Sequence, residues 1–162
     1  MIRLALYQPD IPQNAGTMLR LCACLNVTAE IIEPAGFPVS DRAFRRAGVD
    51  YLDQVDLVRR PSFADYVREL RAERRRLVLL STKAPLVYTD FAFGPDDTLL
   101  VGRESSGAPD EVHAAADARI VIPMRAELRS LNVAIAAAMV LGEALRQTRD
   151  LPAGDLSTAG PA

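Results

Sequence analysis

The sequence predicts an α/β fold: a parallel β-sheet covered by helices on both faces. Three observations carry this. Short apolar runs alternate with amphipathic ones along the chain. The strand-like runs are apolar almost throughout, as strands buried on both faces are. A long helix, apolar over most of its girth, is expected over 131–147; it must be covered on several sides, by its own domain and by a second subunit.

Residues 2–7 read as the first strand, a short apolar run before a proline-containing loop. Asn14 is then the expected N-cap of a helix over 15–25, in which Met18, Leu19, Cys22 and Leu25 recur at helical spacing. A second strand over 27–32 is closed by Glu33-Pro34-Ala35-Gly36-Phe37-Pro38, a stiff loop. Ser40 or Asp41 should cap a short arginine-rich helix ending near Gly48, and residues 55–58 read as a third strand. Ser62 caps a helix to about Arg74, with Phe63, Tyr66, Val67 and Leu70 on one face. Residues 76–82 and 98–101 are buried strands, and 120–122 a sixth that Pro123 ends. The run 109–116 looks helical. Beyond Leu151, Pro, Gly, Ser, Thr and Ala dominate, so a single domain over 1–150 and a disordered tail over 151–162 are expected.

Composition narrows the function. The opening apolar run is too short for a secretory leader and 133–141 too short for a membrane span, so a cytoplasmic protein is expected. Cys22 and Cys24, two apart on a helix, point to different faces and read as small core residues rather than a disulfide. With His113 the sole histidine, a zinc site lacks ligands and a Ser-His-Asp or Cys-His centre is disfavoured. Neither GxxxxGK[ST] nor a GxGxxG after the first strand is present. A net charge of −2 argues mildly against a nucleic-acid partner. Its distribution argues otherwise: residues 40–76 hold ten arginines against seven acids. That stretch is either a solvated, ion-paired helical surface or a phosphate-binding patch, and only the second predicts a steep salt dependence.

In parallel sheets ligands sit beyond the carboxyl ends of the strands, which points to loops 81–83, 102–109 and 123–132. The glycines bracketing Gly102-Arg103-Glu104-Ser105-Ser106-Gly107 permit close backbone approach to a ligand, or simply a tight connection. Ser130 and Asn132 stand where they can cap the long helix. Arg20, less than two turns beyond Asn14, can hold phosphate, steady an oxyanion or pair with a surface acid.

Together these stretches resemble the three motifs of the SPOUT methyltransferases, and most closely the small tRNA (cytidine/uridine-34-2′-O)-methyltransferases. The matching segments are LYQPDIPQNAGTMLRLCA (6–23), IIEPAGF (31–37), RRAGVDY (45–51), VGRESSGAPDEV (101–112) and VIPMRAELRSLNVAIAAAMVLGEALRQ (121–147). The resemblance covers about residues 1–148. It implies a deep C-terminal trefoil knot, an exception to unthreaded chains. It also implies a homodimer, and S-adenosylmethionine, with no metal, as methyl donor to the wobble ribose of tRNA, leucine tRNAs foremost. Carried over by position, Leu80, Gly102, Ile122 and Ser130 contact the donor, with Met124 and Leu131 around its adenine. Asn14, Arg20, Glu104 and Asn132 match the catalytic positions, with Arg20 as proton acceptor; since a guanidinium normally stays charged, steadying the forming alkoxide is the physically preferred role. The region of Arg42, Arg45 and Arg46 is the expected RNA contact. Arg103 and Ser106 depart from the family's GPETRG form, and Ala134 stands where many relatives have Ser. The remaining alternatives are methylation of another tRNA or ribosomal RNA position, or an RNA- or nucleotide-binding module without turnover.

Overall fold

A computed structural model describes residues 1–39 and 54–154. Seven strands form one sheet in the order β3-β2-β1-β6-β4-β7-β5, every pair parallel. They are β1 (Arg3–Tyr7), β2 (Thr28–Ile32), β3 (Leu57–Arg60), β4 (Arg76–Leu80), β5 (Leu86–Val87), β6 (Asp97–Val101) and β7 (Ala118–Val121). The helices are α1 (Pro12–Leu25), α2 (Phe63–Ala72), α3 (Asp110–Ala115) and α4 (Val133–Thr148). The expected parallel α/β architecture holds.

Strand alternation divides the core into two layers. Leu4, Leu6, Ile31, Val78, Leu99 and Val101 face one side, packed with Met18, Leu19 and Cys22 of α1 and Ala137, Val140, Leu141 and Ala144 of α4. Ala5, Tyr7, Ile32, Leu77, Leu79 and Leu100 face the other, with Tyr66 and Leu70 of α2 and Val112 of α3.

Several boundaries differ from expectation, each for a local reason. Helix α1 starts at Pro12 with Ile11 at the N-cap and no side-chain cap, so Asn14 lies inside the first turn and is not the cap. Proline's fixed φ and missing N–H suit it to a helix start. Strand β3 runs to Arg60, and its arginines find partners on β2 and just beyond it. Arg59 bonds to Glu33, and Arg60 Nη2 donates to the fully buried Glu30 at 2.6 Å. Asn132, not Ser130, caps α4: its Oδ1 accepts from Ala134 N at 2.9 Å and Ile135 N at 3.3 Å. Ser62 caps α2 as expected, accepting from Asp65 N.

Strand β5, two residues long and followed by a 3₁₀ turn at Tyr88–Asp90, is too short for any periodicity to reveal. Cys22 is buried, and that burial pushes its thiol up to about 12. Cys24 is exposed; two helical positions turn it away from the layer that buries Cys22, so it is not a core residue. The expected helix after Ser40, and with it Arg42, Arg45 and Arg46, lies outside the described residues, as does the tail beyond Gly154.

Candidate active site

The sheet order places β1, β6, β4 and β7 side by side, and the chain leaves their carboxyl ends in different directions. A crevice beyond the strand ends is the expected result. A cavity of about 540 Å³ opens there, within the usual range for a small-molecule site. All three expected loops contribute. Leu80 ends β4 and Ser81, Thr82 and Lys83 follow it, Gly102 to Glu104 follow β6, and Ile122, Met124 and Ser130 to Asn132 follow β7. The start of α1 adds Ile11 and Asn14.

Every donor-contact residue expected from the sequence, Leu80, Gly102, Ile122, Met124, Ser130 and Leu131, lines this one cavity. Asn14, Glu104 and Asn132 line it too. Arg20 does not: it is exposed on α1, six residues beyond Asn14, about 9 Å along the axis at helical rise.

The 102–107 loop is a closed turn. Arg103 N donates to Gly107 O at 3.0 Å and Gly107 N to Arg103 O at 2.8 Å. Gly107 sits at φ +69°, the left-handed region that glycine tolerates. A Cβ at Gly102 would stand 2.6 Å from Gly107 C and 2.7 Å from Ala108 N. Only glycine lets the end of β6 pass so close to its own returning loop. This turn brings backbone groups to a wall that Leu80, Ile122, Met124, Leu131 and Val133 otherwise make apolar. Such a lining suits an adenosine-like group held by an apolar slot and a few backbone bonds.

The polar end of the cavity is ordered by two side-chain amides. The N–H donors of α4 fix Asn132 Oδ1 as the acceptor. Its Nδ2 then donates to Asn14 Oδ1 at 3.0 Å, so Asn14 is left presenting its own NH₂ as a donor. Asn132 therefore joins helix capping to orientation of Asn14. Glu104 is held differently: Oε2 accepts from Asp10 N at 2.8 Å, while Oε1 is buried with no hydrogen-bond partner among the described residues.

Arg103, the departure from GPETRG, points its guanidinium at Asp10 Oδ1 and Gln8 Oε1. Asp10, bonded by Arg103 and Ser105, has its carboxyl held down at about 2. Sequence reasoning missed Asp10 and His113. The His113 Nε2 lies 3.5 Å from Ser81 Oγ at the cavity wall. An acid directly before a strand-end helix was the available signal for Asp10; nothing local marked His113. Among the described residues no group of His, Cys, Asp and Glu is arranged to hold a metal ion.

A parallel sheet with a small-molecule cavity at its switch point, walled by a glycine-closed turn, defines a nucleotide- or cofactor-using α/β enzyme class. Residues 1–142 match the SpoU rRNA Methylase family, and the chain belongs to it. A tRNA (cytidine(34)-2'-O)-methyltransferase of Beijerinckia indica is 73% identical over 144 residues, 89% of this chain and 90% of the relative. A solved structure described as giving structural insights into the 2-OH methylation of C/U34 on tRNA superposes with a TM-score of 0.85. It has 40% identity, over 91% of this chain and 95% of that one. The SpoU methyltransferase AviRb of Streptomyces viridochromogenes, solved in complex with the cofactor AdoMet, has a TM-score of 0.79 and 25% identity, over 91% of this chain and 60% of that one.

Proposed function

We propose that this protein transfers a methyl group from S-adenosylmethionine to the ribose 2′-hydroxyl of nucleotide 34 of tRNA, a cytidine or modified uridine, in leucine tRNAs foremost. The observation that carries it is the meeting of loops 80–83, 102–108 and 122–132 in one cavity, in a chain similar nearly end to end to an enzyme of that name.

Leu80, Gly102, Ile122, Met124, Ser130 and Leu131 would hold the donor, whose positive sulfur supplies an electrophilic methyl group. The chain's own residues do the rest by positioning, the main source of acceleration when two reactants must be brought in line. Asn14, its amide turned by Asn132, offers an N–H donor at the polar end of the cavity. Glu104 offers a carboxylate oxygen that accepts no hydrogen bond among the described residues. Arg20, exposed on α1 outside the cavity lining, would steady the alkoxide as the hydroxyl loses its proton to phosphate or water.

The same reading includes a trefoil knot in the C-terminal half, action in the cytoplasm and a homodimer. An exposed apolar stripe on α4 supports the dimer: Ile135 (54% exposed) and Met139 (41%) lie one turn apart, and Leu128, Leu131 and Ile11 are also exposed. Leu131 and Ile11 belong to the cavity as well, so a second copy on this stripe would cover the cavity mouth. Arg42, Arg45 and Arg46 are assigned to RNA contact on the same reading.

The test is mass-spectrometric mapping of tRNA and ribosomal RNA methylated in vitro, alongside tRNA from a deletion strain. Loss of the 2′-O-methyl at position 34 in the strain, restored by the protein, is the expected result. Methylation elsewhere would move the substrate, and donor binding without transfer to any RNA would reduce the protein to a binding module.

A further inference from the structure

We propose that Asp10 is a positioning residue that aims Glu104 into the cavity by clamping the 102–107 loop on both sides of it; this rests on the methyltransferase reading above. Five contacts carry the inference. The Asp10 N–H donates to Glu104 Oε2 at 2.8 Å. Its Oδ1 accepts from Arg103 Nε at 3.1 Å and from Nη2 of the same guanidinium. Its Oδ2 accepts from Ser105 N at 3.2 Å and from the Ser105 hydroxyl. One residue thus binds positions 103, 104 and 105 at once, and bonds on either side leave the intervening side chain little freedom to turn.

Asp10 is itself held from behind. Gly36 N donates to Pro9 O at 2.9 Å, and a Cβ at Gly36 would lie 3.1 Å from Asp10 Cα. The loops after β2, β1 and β6, three neighbouring strands, are stacked on this one residue. The result is a carboxylate with one oxygen fixed and the other, Oε1, buried and without a partner among the described residues. Because a buried acceptor without a donor is costly, the arrangement fits a ligand that brings one, a hydroxyl or amino group of the nucleoside. Arg103, which a proline-containing turn could not supply, makes the clamp in this chain a charged one.

The test combines amide hydrogen exchange of the whole protein with a double-mutant cycle. In Asp10→Asn one side-chain oxygen becomes a donor, so the Ser105 and Gly107 amides should exchange faster than in wild type. Turnover on tRNA should fall about tenfold or more in Asp10→Asn and Asp10→Ala, with methyl-donor affinity within about threefold, as expected for an effect on orientation rather than binding. In a Glu104→Gln background, Asp10→Ala should cost less than about twofold more, because residues acting as one unit are not additive. Full additivity, or unchanged exchange in the loop, overturns the proposal. A wild-type protein that methylates no RNA defeats the functional reading, while the exchange experiment still judges the clamp.

Discussion

Two glutamates, Glu30 on β2 and the half-buried Glu104 in the loop after β6, are treated in contrasting ways. Glu30, mid-strand on β2, is fully buried, and its Oε1 accepts from Arg60 Nε at 3.2 Å and Nη2 at 2.6 Å, with Arg3 at 3.6 Å. Around it, Arg60 also bonds Glu69, Arg3 pairs with Glu73 at 2.7 Å, and burial, with the Glu30 charge second, raises the Tyr66 hydroxyl well above its usual pKa. Glu104, on a strand-end loop, has one backbone N–H and no salt bridge among the described residues. A carboxylate surrounded by guanidinium groups is part of the framework. Both keep one buried oxygen without a partner among the described residues, but only Glu104 lines the cavity, where a ligand can meet it.

That contrast can be broken most directly by removing each acid. Glu30→Ala removes the fully buried acceptor of Arg60 and leaves that guanidinium to Glu69 alone, and should lower unfolding free energy by about 1.5–3 kcal/mol, read by denaturant titration. Glu104→Gln should leave the denaturation midpoint nearly unchanged while turnover drops roughly 10- to 100-fold, the loss of one charge-assisted hydrogen bond. Equal destabilisation by the two would end the distinction.

Gly102→Ala should abolish methyl-donor binding by calorimetry, since the added carbon meets backbone at 2.6 Å and the turn must open. Arg20→Lys keeps the charge but not the planar fork; turnover near wild type would remove the need for a guanidinium.

A smaller effect is expected with pH. Asp10's folded pKa, about 2, lies below its usual 3.8, so the clamp's contribution is fully present above about pH 4 and fades as pH falls toward 2. Hydrogen exchange of the Ser105 amide across that window should show it. The smallest change belongs to Gly142, where a Cβ would meet nothing within 4 Å. Gly142→Ala should stabilise an isolated chain by about 0.5–1 kcal/mol, and weaken self-association if the Ile135–Met139 stripe is the dimer face. Sedimentation separates the two.

Much of this was legible in the residue pattern. Apolar strands alternating with amphipathic helices announce a parallel sheet because both its faces must be covered, and the carboxyl-end rule then picks three loops without knowledge of strand order. The failures are instructive. Asn14 looks like a cap, yet Pro12 starts α1 earlier, and freed from capping Asn14 reaches across 118 residues to Asn132. Arg59-Arg60 looks like the end of a strand, yet the pairing register sets Glu30 beside Val58 and brings that acid within reach of Arg60.

What the sequence determined by itself is the order and kind of the longer described elements, β5 and its 3₁₀ turn excepted, since periodicity and turn chemistry act over a few residues. The tertiary structure decided which polar groups meet. Whether Glu104 is anchored by Asp10, 94 residues away, or Arg103 turns toward Asp10 rather than a phosphate, depends on β1 and β6 lying side by side. That adjacency is a product of the whole packed sheet, and no local window of sequence contains it.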